Sequence, residues 1–169
     1  MNTVTVKIDR SRAEFTEAED AALRRAGEVI RAGGLVAFPT ETVYGLGGDA
    51  LNRESSRKIY AAKGRPSDNP LIVHICKLED IRQIVQEVPE EAYKIAEAFW
   101  PGPLTMILHK SELVPKETTG GLDTVAVRFP SDKIAQKLIE YSGGYIAAPS
   151  ANLSGRPSPT VAKYVSEDM

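Results

Sequence analysis

Lys63-Gly64-Arg65-Pro66 sets two cations on either side of a glycine. At that spacing backbone and side chains can close together on a phosphate or a carboxylate. Arginine brings a planar fork of donors and lysine a movable point charge. Pro66 and Pro70 stiffen the segment, which lowers the entropy cost of ordering those charges. The alternative is a solvated helix C-terminus, where cations favour the helix dipole. Thr124 and Arg128 offer a second cationic position. Period-2 alternation puts them on one strand face with small Ala126 between them, leaving room beside the guanidinium. An arginine there needs an anionic ligand or an internal salt bridge, because a buried unpaired charge is expensive.

Two polar stretches complete the chemistry. Pro39-Thr40-Glu41-Thr42-Val43-Tyr44-Gly45-Leu46-Gly47-Gly48-Asp49 reads as a flexible loop at a strand exit, where α/β sheets hold ligands, or as a tight connection that needs glycine. Its glycine spacing fits neither the dinucleotide fingerprint nor a P-loop. Ala148 through Ser158 crowds Ser150, Asn152, Ser154 and Gly155 at another strand exit, suited to phosphate or ribose through neutral donors, or to a plain surface turn. His74 sits inside the apolar run Leu71–Ile75, either as a core histidine bonded to backbone or as a ligand contact.

These residues need elements to hold them. Thr16-x-x-Glu19 is a capping box, and Ala18, Ala22, Ala26, Val29 and Ile30 follow at helical spacing until Gly33-Gly34. Further helices are expected over about 53–62, 78–86, 90–100 and 132–142, and strands over 35–38, 71–75, 104–109, 123–129 and 145–148. The start, residues 1–10, also alternates like a strand, and residues 110–121 read as an exposed loop. Strands interleaved with helices predict an α/β fold with a mixed sheet.

Composition narrows the chemistry further. With 169 residues, 42 % of them hydrophobic and 26 % charged, the chain suits one folded domain. A single cysteine, Cys76, excludes an intramolecular disulfide or a multi-cysteine zinc site, and two histidines, without an HExxH pairing, argue against a zinc hydrolase. The net charge of −2 supplies no polybasic arm for nucleic acid or anionic lipid. No apolar run reaches the ~18 residues of a membrane span, and the start lacks a signal-peptide core, so a cytoplasmic protein is expected.

Taken in order, the stretches Phe38–Gly47, Lys63–Pro66, Asn69–His74, Trp100–Thr105, Val127-Arg128 and Pro149–Gly155 resemble the YrdC-like domain of threonylcarbamoyl-AMP synthases. The resemblance runs from about Leu35 to Pro159. It implies a twisted, mostly open sheet with flanking helices and a concave, positively charged face. It also implies condensation of L-threonine, bicarbonate and ATP into threonylcarbamoyl-AMP; Mg²⁺ is expected with ATP, held by phosphates and water, and the sequence offers no dedicated carboxylate cluster for it. A downstream tRNA-modifying transferase would take the product. By motif match, Thr42, His74, Arg128 and the backbone near Ala148 would hold threonine. Lys63, Arg65, Asn69, Thr124, Ser150, Asn152 and Ser158 would hold the nucleotide, with Lys63 and Arg65 also catalytic. The whole chain, 1–169, reads as one such domain. The family's further strands, with a Glu-Ser-Thr stretch and an Arg-x-Gly, have no counterpart before Met169. Two other classes compete: an RNA-binding module using the same face without catalysis, with weak RNA contact, and a related carbamoyl-adenylate domain serving another acceptor.

Overall fold

Alternation along Thr124–Arg128 decides which way the sheet faces. Val125 and Val127 are fully buried, whereas Thr124 and Ala126 stay half-open on the other side. A computed structural model describes residues 3–169. Its strands are β1 (Val36–Phe38), β2 (Gly45–Asp49), β3 (Ile72–His74), β4 (Thr105–His109), β5 (Thr124–Arg128) and β6 (Ile146–Ala148), in the order β1-β2-β6-β3-β5-β4. β3 and β5 pair in parallel and the other neighbours antiparallel, so the sheet is mixed as expected.

Helices cover the two faces unequally. α2 (Arg53–Lys63), α3 (Ile81–Ile84) and α4 (Glu90–Phe99) pack Ile59, Tyr60, Ile81, Ile84, Ala92 and Ala96 against Val73, Val125, Val127 and Ala147. Each large apolar side chain fully buried there contributes roughly 1.5–3 kcal/mol. On the opposite face, α1 (Glu17–Arg31) and α5 (Lys133–Tyr141) cover Ile146 and Ala148 with Leu23, Ile30, Ile134, Leu138 and Ile139. That second layer stops short of the far edge: Ile107 on β4 is 69 % exposed. The sheet therefore carries helices over one whole face and over only part of the other.

The capping box forms, with Thr16 Oγ1 accepting from Glu19 N–H and the Glu19 carboxylate accepting from Thr16 N–H. α1 buries Ala22, Leu23, Gly27 and Ile30, while Val29 faces out. α2 ends at Gly64, whose φ of 58° is left-handed and suits glycine, as the Lys-Gly-Arg spacing requires.

Four expectations need correction. Residues 3–9 form no strand: Val4 and Val6 are exposed, so their alternation meets no sheet, and Met1 and Asn2 lie outside the described residues. The glycine-rich stretch is half strand, β2. Gly47 is required there because a Cβ would stand 2.7 Å from Ile146 and 2.8 Å from the Phe38 ring. The segment 110–121 is not an exposed loop: Val114 and Thr118 are wholly buried, and Thr118 donates to the Ala50 carbonyl at 2.8 Å. The helix expected over 78–86 is a 3₁₀ turn followed by the single-turn α3. A last helix, α6 (Ala162–Asp168), which no periodic pattern announces, buries Val165 against Leu46 and Ala151.

Candidate functional site

Register shows which residues share the partly uncovered face. Thr105, Ile107 and His109 of β4 stand opposite Arg128, Ala126 and Thr124 of β5. Ile72 and His74 of β3 stand opposite Ala126 and Arg128, and opposite Ala148 and Ile146 of β6. One row thus ends on His74 and Arg128, and two residues along comes Ile72-Ala126-Ala148. Thr124 lies four residues from Arg128, roughly 13 Å along the strand.

At the Arg128 end, the loop between β1 and β2 folds back over the face. The Thr40 hydroxyl donates to the Val43 carbonyl at 2.6 Å and accepts the Thr42 and Val43 N–H groups, a tight serine/threonine-type turn. That turn delivers Thr42 Oγ1 to 3.2 Å from Arg128 Nη2 and Glu41 Oε1 to 2.8 Å from the same nitrogen. Arg128 thus has an internal ionic neighbour in Glu41. Burial works to raise the Glu41 pKa, but Arg128 and nearby backbone N–H groups outweigh it, and the carboxyl sits below its ordinary value.

His74 is buried beside this pair. Its Nδ1 lies 3.1 Å from the Ile72 carbonyl, and because a carbonyl only accepts, Nδ1 carries the proton; the Ile146 carbonyl is also close to the ring. The ring stands edge-on to Phe38 with centroids 6.1 Å apart. Burial, and then the Arg128 charge, push its pKa down to about 4, so the imidazole is neutral near pH 7.

The other end gathers the remaining residues. Lys63, 2 % exposed, extends from the last turn of α2 and donates to the backbone carbonyls of Ser150 and Asn152. Burial, reinforced by Arg65, pushes its pKa down to about 8. Gly45 bridges to Ser150, tying this exit of β6 to the start of β2. Asn152 uses its Nδ2 on the carbonyls of Leu153 and Arg156, while its buried Oδ1 accepts from no described residue. Arg65 donates to the Asn69 carbonyl at 3.2 Å, to Asn69 Oδ1 at 2.5 Å and to the Pro70 carbonyl at 3.2 Å. Asn69 is thus a brace for Arg65.

The structure brings together Lys63 with Ser150 and Asn152, Arg65 with Asn69, and Thr42 with Arg128 beside His74. Ala148 is buried within the sheet opposite Ile72, and Thr124 stands on the open face of β5. Ser158 is exposed in the loop before α6. Glu41 was not among the residues singled out from the sequence. Its one signal in the sequence is its place between Thr40 and Thr42, and an acidic residue is not what anionic substrates call for. Cys76 offers no nucleophile at neutral pH, since burial pushes its thiol up to about 11. Among the described residues no group of three or more His, Cys, Asp or Glu could hold a metal ion, and no helix is long and apolar enough to cross a membrane.

The described residues thus form a mixed α/β sheet with an unevenly covered face, edged by segments that carry Thr42, Lys63 and Arg65. The chain belongs to the Sua5/YciO/YrdC family, whose model, described as "Telomere recombination", matches residues 28–169. It is 59 % identical over 150 residues to the threonylcarbamoyl-AMP synthase of Pyrococcus abyssi, covering 89 % of this chain and 44 % of that protein. It is 50 % identical over 151 residues to the Bacillus subtilis threonylcarbamoyl-AMP synthase, with the same two coverages of 89 % and 44 %. Among solved structures, P. abyssi Sua5 complexed with L-threonine superposes with a TM-score of 0.87 at 59 % identity, over 89 % of this chain and 44 % of that one. The chain thus spans less than half the length of these relatives.

Proposed function

We propose that this chain is the substrate-binding α/β domain of a threonylcarbamoyl-AMP synthase. On this reading it takes L-threonine, bicarbonate and ATP and supplies the product to a tRNA-modifying transferase in the cytoplasm. The observation that carries the proposal is a pair of residue clusters at opposite ends of the central strands. Arg128, His74 and Thr42 stand at one end, and Lys63, Arg65, Asn69, Thr124 and Ser150 at the other. Two clusters so placed suit an amino acid at one and a nucleotide at the other, with the reacting atoms between.

In the proposed reaction the threonine amine captures bicarbonate, with loss of water, to give a carbamate. A carbamate oxygen then attacks the α-phosphorus of ATP, and pyrophosphate leaves. Both partners are anionic, so the barrier is dominated by charge repulsion and by charge growing on phosphoryl oxygens. Fixed cations and positioning address both without a covalent nucleophile. At the amino-acid end, Arg128 and Thr42 hold the carboxylate side, with neutral His74 beside them, and the backbone at Ala148 lines the floor. At the nucleotide end, Lys63 has one of its three N–H groups left after serving Ser150 and Asn152, and braced Arg65 presents its remaining donors to phosphate. Asn69, Thr124, Ser150, Asn152 and Ser158 supply neutral contacts. Mg²⁺ enters with ATP as part of the substrate, held by phosphates and water.

The test is pyrophosphate release from ATP with threonine or bicarbonate omitted in turn, alongside thermal shifts with each substrate. Release that needs both co-substrates is expected. ATP turnover indifferent to threonine, with no threonine-induced shift, refutes the proposal.

A further inference from the structure

Three buried polar atoms of the Glu41–Arg128 pair have no hydrogen bond among the described residues: both carboxylate oxygens of Glu41, and Nε of Arg128. Their side chains are only 19 % and 10 % exposed. The 2.8 Å approach of Glu41 Oε1 to Arg128 Nη2 is a charge contact whose N–H is not aligned on the oxygen. The amides of Glu41 and Ser131 lie near enough to help hold the Glu41 pKa down, but neither carboxylate oxygen has a partner of full hydrogen-bond geometry. A buried ion pair whose donors and acceptors are this poorly aligned on one another marks a place built to be completed.

The chemistry of the cluster limits what completes it. The Glu41 oxygens need donors and the Arg128 nitrogen needs an acceptor. A phosphate or simple carboxylate answers Arg128 but is repelled by Glu41. A metal ion answers Glu41 but is repelled by Arg128. A molecule with a carboxylate and an ammonium on adjacent atoms answers both. We infer that Glu41 is a specificity-determining residue that receives the α-ammonium group of an amino acid whose carboxylate pairs with Arg128. This rests on the amino-acid site proposed above and adds the group that reads the amine. A carboxylate acting merely as the resting partner of Arg128 would take the aligned, forked geometry that such pairs favour. Glu41 does not.

Calorimetric titration of this chain with L-threonine and with 3-hydroxybutyrate, which keeps the carboxylate and hydroxyl but lacks the amine, tests the inference. The unaltered protein is expected to bind threonine at least ~10-fold more tightly, in line with a buried charge-assisted hydrogen bond. Glu41→Gln is expected to shrink that ratio to below about 3-fold, by weakening threonine and by relieving the repulsion that 3-hydroxybutyrate meets at Glu41. Equal affinity of the unaltered protein for the two ligands overturns the role of Glu41 while leaving the amino-acid site standing, and needs no variant to fold. Unchanged or tighter threonine binding by Glu41→Gln also overturns it. Failure of the unaltered protein to bind either ligand removes the amino-acid site itself, and the role of Glu41 with it.

Discussion

His74 makes the stability of this domain depend on pH in a way that can be worked out beforehand. It is 4 % exposed, faces Arg128 on β5 and Glu41 on the β1–β2 loop, and has its pKa pushed from 6.5 to about 4. A histidine whose folded pKa is depressed leaves the unfolded chain binding more protons between those two values. Stability therefore falls as pH drops through that window, and the loss is complete below about 4. Between pH 7 and pH 5 the expected loss from this one group is about 2 kcal/mol. Urea unfolding at the two pH values gives the total change. Subtracting the same change for His74→Asn, which keeps a donor near the Nδ1 position for the Ile72 carbonyl, isolates the imidazole. Glu41, held below its ordinary value, loses its contribution only at lower pH, as protons reach its folded pKa, and does so in both proteins. If both proteins lose the same stability over this interval, the imidazole is not held neutral by burial and Arg128, and the account of this end of the site fails.

Three substitutions probe the rest. Arg65→Ala removes the braced guanidinium and is expected to lower threonine-dependent pyrophosphate release by at least ~10-fold; turnover like that of the unaltered protein contradicts its role. Gly47→Ala drives a methyl group to within 2.8 Å of Phe38 and Ile146, and equilibrium unfolding should show a loss of about 1–3 kcal/mol. Thr118→Val strands the Ala50 carbonyl and the Ser56 hydroxyl, both within 2.9 Å of Thr118 Oγ1, and should cost about 1–3 kcal/mol in the same assay; a change below ~0.5 kcal/mol means those groups find other partners.

Periodic patterns gave dependable forecasts where one face meets a core. The capping box, the alternation of Val125 and Val127, and the amphipathic run over Lys133–Tyr141 each forecast the element found. Local pattern failed where the deciding contact comes from afar. Val4 and Val6 alternate with no neighbouring strand to pair with. Gly45–Asp49 looks like a loop until Phe38 and Ile146 press against it, so that glycine marks close packing. The segment 110–121 is polar because Thr118 and Lys110 bond buried carbonyls, those of Ala50 and Val114. In the site, the cations were legible as residue types, but their commitments were not. That Arg128 faces Glu41, or that Lys63 serves two carbonyls, follows only from tertiary placement.

The Lys63 clasp has a consequence for how the molecule comes into being. Its two carbonyl partners lie 87 and 89 residues further along the chain, and the Arg128–Thr42 bond spans 86. No short segment can assemble either end of the site, and contacts of such long range are made only after large loops have closed. During synthesis the nascent chain cannot form the clasp until Asn152 has left the ribosome. Once folded, a ligand gripping both ends reports on the cooperative unit as a whole, so protection from hydrogen exchange on binding should extend into the central strands rather than stay with the loops.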